Sequence, residues 1–126
     1  MKGYSSDVDR QAKKNESFRQ VLYTATGGQL VLMSLKPSED IGMEVHDDVD
    51  QFFWIVKGKA KATLDGEEVE VAKGEVLVVP RGTQHNVINA SDSKPLKLFT
   101  VYTPPNHPDG TVHATKADAE AAEEHH

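Results

Sequence analysis

The chain has 126 residues and 13.8 kDa, enough for one packed domain and too few for two. Hydrophobic residues at 37% and charged residues at 27% allow a single core and exclude collagen-like and wholly disordered chains. The 14 Lys+Arg against 20 Asp+Glu give a formal charge of −6, and the lysines are scattered beside acids, as in Lys73-Gly74-Glu75. Such a surface repels phosphate backbones, so no nucleic-acid partner is expected. The absence of cysteine excludes disulfides, thiolate-held metals and a Cys nucleophile. Apolar runs are too short to span a bilayer, and Met1-Lys2-Gly3-Tyr4-Ser5-Ser6 lacks the apolar core of a signal peptide. The expectation is a cytoplasmic domain with no membrane partner.

Residues 1–16 are polar, with isolated apolar side chains at Tyr4, Val8 and Ala12, and read as an N-terminal arm that is ordered only where it docks. From residue 17 to 104 the texture changes to short runs of Val, Leu, Ile, Phe and Thr separated by Gly, Pro and Asp. Strands are predicted at Arg19–Ala25, Gln29–Leu35, Met43–His46, Gln51–Lys57, Ala60–Leu64, Glu67–Ala72, Glu75–Val79, His85–Ala90 and Leu96–Thr103. Short strands at near-regular spacing form a β-sandwich or barrel. Asp65-Gly66 between two of them is the two-residue loop of a type I′ hairpin. Residues 105–126 form a Pro- and Gly-stiffened loop followed by a short helix over Thr115–Glu124, where Thr115 is a cap and alanine favours helix. His125 and His126, either native or the stub of an affinity tag, are set aside.

Chemistry concentrates at two histidines. Glu44 and His46 are two apart, so on a strand both project from one face, and Gln51 opens the next strand after an acidic turn. His85 begins a strand just after the turn Pro80-Arg81-Gly82. Two hairpins that bring these groups to one barrel end can converge on a metal ion, although spacing alone leaves structural, hydrogen-bonded histidines equally open.

The segment Gly74, Pro80, Gly82, His85, Asn89 matches the motif G-x5-P-x-G-x2-H-x3-N at every fixed position. The segment around His46, Gln51 and Gly58 resembles its partner motif G-x5-H-x-H-x3,4-E-x6-G. These are the paired motifs of the cupins, and the chain resembles the small single-domain cupins of the mannose-6-phosphate isomerase-like group. The resemblance implies an all-β fold, a double-stranded β-helix (cupin or jelly-roll) barrel with a divalent metal inside, here flanked by the polar arm and the C-terminal helix. Glu44 stands where the family has its first metal histidine and Gln51 where it has the glutamate. The ligand set carried over is therefore Glu44, His46, Gln51 and His85, holding one divalent transition metal: Fe, Mn, Zn or Ni. Two His and one carboxylate also make the facial set of non-haem iron enzymes.

The functional expectation is a small metal-dependent enzyme acting on a polar small molecule such as a sugar or hydroxy-carbonyl compound, isomerase- or epimerase-like. Glu44 and His107 are its candidate proton-moving groups, with His107 brought to the barrel mouth by the stiff loop and titrating near neutrality. The alternatives are a mononuclear non-haem iron dioxygenase and a non-catalytic module that binds a metal or small ligand. Tyr23, Met33, Thr100 and Tyr102 are candidate cavity-lining residues, each also explained by packing. Arg81 is read as a solvated turn residue ahead of an anion binder, and Asp47, Asp48 and Asp50 lack calcium-loop spacing. Phe52, Trp54 and Val56 alternate with Gln51, Phe53 and Ile55 and point outward, which leads to the expectation of a homodimer formed by barrel-to-barrel packing with the N-terminal arm assisting.

Overall fold

The structure, a computed structural model, describes residues 3–124; His125 and His126 lie outside the described residues. Antiparallel strands build two facing sheets. The larger has the order β6 (Val76–Val79), β3 (Asp50–Lys57), β8 (Leu96–Thr103), β2 (Gln29–Leu35), β1 (Arg19–Thr24) and β9 (Val112–His113). The smaller has the order β5 (Glu67–Ala72), β4 (Lys59–Leu64), β7 (His85–Asn89).

Period-two patterning sets which face is inside. In β3, Gln51, Phe53 and Ile55 are buried while Phe52 and Trp54 are half-buried on the other face. Register carries this across the large sheet, so that one inner row reads Val79, Gln51, Tyr102, Gln29 and the next Leu77, Phe53, Thr100, Val31, Val21. On the small sheet the inward residues include Ala60, Ala62, Val71 and Val87, and one apolar cluster joins both sheets. Each large aliphatic or aromatic side chain buried there contributes roughly 1.5–3 kcal/mol. The exposed face of the small sheet carries the ion pairs Lys59–Glu70 and Lys61–Glu68, both 3.0 Å, which add little in water.

Turns follow local chemistry. Asp65 and Gly66 both have positive φ, 49° and 86°, as the type I′ turn predicted between β4 and β5 requires. Gly58, between β3 and β4, has φ 98°, and a Cβ there would come within 3.2 Å of the Pro95 carbonyl oxygen. Asn89 ties the loops at this end. Its amide nitrogen donates to the carbonyls of Leu35, Lys36 and Lys94, and its oxygen accepts from the Ser91 N–H.

Three features differ from the sequence reading. Part of the arm is helical: α1 (Val8–Lys14) is capped by Asp7, which accepts from the Arg10 N–H at 3.1 Å. Seven residues cannot hold a helix alone; docking of Ala12 with Val8 against Leu32, Val56 and Phe99 on the outer sheet face supplies the stability. Lys97 fastens its end, donating to the Asn15 carbonyl and to Ser34 Oγ. Residues 43–46 form no strand but an extended segment with a single bridge, because Gly42 at φ 112° and the Asp47-Asp48 bend interrupt pairing. The two-residue β9 escaped prediction because it is too short to show a period. The tail helix is α2 (Lys116–Glu124), with Thr115 and Asp118 exchanging backbone and side-chain hydrogen bonds at its start. Ala119 enters the core, and Lys116 pairs with Asp40.

Asn89→Ala would orphan several carbonyls at once in a site that water cannot enter freely. It is expected to lower the unfolding free energy by about 2–3 kcal/mol in urea denaturation, with metal content per folded molecule unchanged. A parallel loss of metal would give Asn89 a role at the centre as well.

Candidate metal centre

Glu44 and His46 reach the interior although no strand holds them. The Glu44 N–H donates to the His85 carbonyl at 2.8 Å and the His85 N–H donates back to Glu44 at 2.9 Å, while the Gly82 N–H donates to the His46 carbonyl at 2.7 Å. The segment keeps the strand alternation, with Met43 and Val45 in solvent and Glu44 and His46 turned inward. His85, at the start of β7, is 3% exposed. One ligand atom each from Glu44, His46 and His85 lies within 4.8 Å of the others.

This arrangement fits a divalent ion. Glu44 Oε2 and His46 Nε2 are 3.1 Å apart, and two ligands about 2.1 Å from one ion lie roughly 3.0 Å apart when they meet at a right angle. His85 Nδ1 lies 2.9 Å from the Thr83 carbonyl, which can only accept, so that nitrogen carries the proton and Nε2 keeps its lone pair. Burial works against ionisation of Glu44. The hydrogen bond and charge of His46, with Arg19 and His85, more than offset it and hold the carboxyl below its ordinary range. An anionic carboxylate and two imidazoles are a donor set suited to Fe, Mn, Zn or Ni.

Gln51 projects from β3 into the same interior and is 2% exposed. Its Nε2 donates to Thr100 Oγ1 at 3.0 Å, whereas its buried Oε1 has no hydrogen-bond partner. A buried amide oxygen without a partner is costly, and an ion or an ion-bound water would satisfy it. His46 packs edge-on to Tyr102, ring centroids 6.1 Å apart, and Tyr102 in turn meets His107 edge-on at 5.0 Å.

The loop after β8 returns to this mouth through Gln29. The Gln29 amide donates to the His107 carbonyl at 2.7 Å and accepts the N–H groups of Asn106 and His107. His107 Nε2 then sits 3.2 Å from the Tyr102 hydroxyl. Burial, reinforced by Arg19, pushes the His107 pKa down to about 3, which replaces the expected titration near neutrality with a neutral ring. Burial likewise pushes Tyr102 up to about 12, so the phenol stays protonated.

Other residues fall into plainer roles. Arg81 donates from its backbone N–H, Nε and Nη2 to Asp50, clasping the turn at the barrel rim. Met33 and Thr100 are interior; Tyr23 stacks on Tyr4 at 5.1 Å. Trp54 lies between Phe52 and Phe99 on the outer face. Sequence reasoning passed over Arg19, which is 2% exposed with its Nε unpartnered. The signal was its register: Arg19 shares the inward face with Val21 two residues on, so a strand there buries a guanidinium.

Residues 31–102 match the family model of the cupin domain Cupin_2. This chain belongs to the cupin family. The cupin is 47% identical over 130 residues to the uncharacterised protein YrkC of Bacillus subtilis, a match covering 98% of the chain and 69% of that protein. The crystal structure of BH2720 from Bacillus halodurans superposes with a TM-score of 0.93 at 37% identity, covering 95% of each chain. A more distant relative is the quercetin 2,3-dioxygenase of B. subtilis, 29% identical over 73 residues, which cover 58% of this chain and 22% of the enzyme.

In this cupin, alanine variants separate the ligands by metal content and affinity. His46→Ala, His85→Ala and Glu44→Ala are expected to lose most bound metal, and Gln51→Ala to weaken affinity about 10- to 100-fold. Full occupancy with unchanged affinity in Glu44→Ala would remove the carboxylate from the centre.

The neutral His107 makes a second prediction. Its folded pKa lies below the unfolded value of about 6.5, so its burial costs nothing above that pH and costs progressively more stability as pH falls below it. Imidazole carbon shifts of His107 in NMR should stay flat between pH 8 and 5, and wild type should lose stability over His107→Gln as pH drops from 7 to 5. A titration centred near 6.5 would contradict the buried neutral ring.

Proposed function

We propose that this cupin is a small metal-dependent enzyme acting on a polar hydroxy-carbonyl compound or sugar, isomerase- or epimerase-like, in keeping with the resemblance to mannose-6-phosphate isomerase-like cupins. The observation that carries this reading is a neutral imidazole hydrogen-bonded to a protonated phenol, His107 to Tyr102, beside the Glu44–His46–His85 cluster. A bound divalent ion supplies polarisation of a substrate carbonyl or hydroxyl oxygen. Glu44, His46 and His85 would hold it, with the Gln51 carbonyl oxygen turned to it or to its water. The Tyr102 hydroxyl donates a hydrogen bond to an oxygen at the mouth, where charge develops, and the neutral His107 ring orients that hydroxyl through its Nε2 contact. The Glu44 carboxylate would take up and return the proton exchanged on the neighbouring carbon. Gln29 fixes the His107 backbone from both sides and so sets where the imidazole stands.

Solvent-exchange NMR in deuterium oxide, run over a panel of aldoses, ketoses and 2-hydroxy ketones with each metal, tests the reading. Incorporation of deuterium beside the carbonyl, reduced about 10²- to 10⁴-fold in Tyr102→Phe and His107→Ala at unchanged metal content, is the expected result. No exchange with any member of the panel would refute it. A second reading, a mononuclear iron dioxygenase, is supported by the same two-His, one-carboxylate set and by the similarity to quercetin 2,3-dioxygenase. Dioxygen uptake by the Fe(II) form with a flavonol would favour it. Saturable binding with neither exchange nor oxygen uptake would leave a non-catalytic binding module.

We also propose a homodimer through the outer face of the large sheet. There Val76 pairs with Trp54 and Val78 with Phe52 across β6 and β3, and both valines are nearly half exposed on an edge strand. Trp54→Glu should yield monomers in light scattering, whereas a wild type already monomeric at high micromolar concentration would contradict the interface.

A further inference from the structure

Arg19 is the charged group that the metal reading leaves unexplained. It lies on the inward face of β1, 2% exposed, with Nε buried and unpartnered. Its polar contacts are neutral ones, a long contact of Nη1 with His113 Nδ1 at 3.4 Å and a hydrogen bond toward the Tyr102 hydroxyl, and its guanidinium carbon stands 5.4 Å from the Phe18 ring centroid. No ion pair with a carboxylate reaches it among the described residues. Its charge nevertheless acts on the centre: it favours the ionised forms of Glu44 and Tyr102, and it disfavours protonation of His107 and His113. Glu44 is the sole acidic side chain among those groups.

A buried guanidinium without a counterion is expensive, and burial is repaid only when an anion with matched hydrogen-bond geometry joins it. Glu44 cannot serve both as that counterion and as ligand to a divalent ion, because the ion's charge exceeds that of the carboxylate. With imidazole ligands neutral, the loaded interior keeps a net positive charge shared between the ion and Arg19. We infer that Arg19 forms an anion subsite beside the metal centre and that the substrate carries a carboxylate or an equivalent negative charge. This narrows the proposed substrates from neutral sugars to hydroxy or oxo acids, and it rests on the metal-dependent reading above. Arginine suits the task through its planar fork of donors, of which Nε and Nη can grip a carboxylate together.

Glycolate and its neutral isostere glycolamide, which share the hydroxyl and carbonyl oxygens and differ in charge, are the probes. Each is titrated calorimetrically into zinc-loaded and metal-free protein, with zinc content measured on the same samples, for wild type, Arg19→Lys and Arg19→Met. In wild type, glycolate is expected to bind at least tenfold more tightly than glycolamide. Arg19→Met should remove that preference with zinc content unchanged, and Arg19→Lys should restore part of it. Because the charge is unpaired, Arg19→Met should also match or exceed the wild-type unfolding midpoint without ligand. If the protein takes up no zinc yet glycolate binding still depends on Arg19, the metal reading fails and the subsite stands. Equal affinities of wild type and Arg19→Met for glycolate in both forms would overturn the subsite. A collapse of folding in Arg19→Met would do the same, by showing that the guanidinium is a structural group.

Discussion

Two backbone hydrogen bonds between Glu44 and His85 carry the site. They are the one ladder step joining an irregular crossing segment to β7, and they place the Glu44 and His46 side chains beside the His85 ring. A full strand at 43–46 would have bonded its neighbours along its length; here one reciprocal pair, braced by the Gly82 N–H on the His46 carbonyl, does so. The arrangement depends in turn on the turn Pro80–Thr83, which Asp50 holds through Arg81, and on Thr83, whose carbonyl fixes the His85 ring. Packing of the two sheets thus becomes ligand geometry through a short run of hydrogen bonds.

The interior that results is strongly polar. Gln29, Gln51, Thr100, Arg19 and His85 are all at least nine-tenths buried. Gln29 and His107 satisfy each other's backbone and side chain, and Thr100 satisfies half of Gln51. Among the described residues, the buried side-chain atoms without a hydrogen-bond partner are Gln11 Oε1, Thr63 Oγ1, Gln51 Oε1 and Arg19 Nε, of which the last two belong to this polar interior, an acceptor and a donor. Native proteins leave few such groups, and these two match a cation and an anion respectively. The same burial keeps His107 neutral and Tyr102 protonated, so their hydrogen bond is set by desolvation rather than by solution pH.

Much of the barrel was legible because its strands obey a period of two and its turns use residues with one physical purpose, as at Asp65-Gly66. The pairing of Glu44 with His46 was legible for the same reason: alternation persists at 43–46 even where hydrogen bonding lapses. Gly58 and Asn89, matched to family motifs by identity alone, acquire reasons in the structure, a close approach to Pro95 and a knot of three carbonyls. Helix α1 was not legible, since Val8 and Ala12 show one turn of spacing and its stability comes from the sheet beneath. Arg19 was missed because a charged residue at the head of a strand usually faces solvent, and only the register with Met33 and His113 turns it inward. The low pKa of His107 depends on burial by a loop whose path no local pattern reveals.

X-ray absorption at the edge of the bound metal, recorded on tag-free protein reconstituted with one equivalent of Fe, Mn, Zn or Ni, tests the centre most directly. A Glu44–His46–His85 site gives outer-shell scattering from two imidazoles together with light-atom ligands, and in His85→Ala, which loses most of the bound metal, this two-imidazole signature disappears. A spectrum of an ion ligated by water and carboxylate alone, or one unchanged by His85→Ala, would contradict the centre around which the barrel interior is organised.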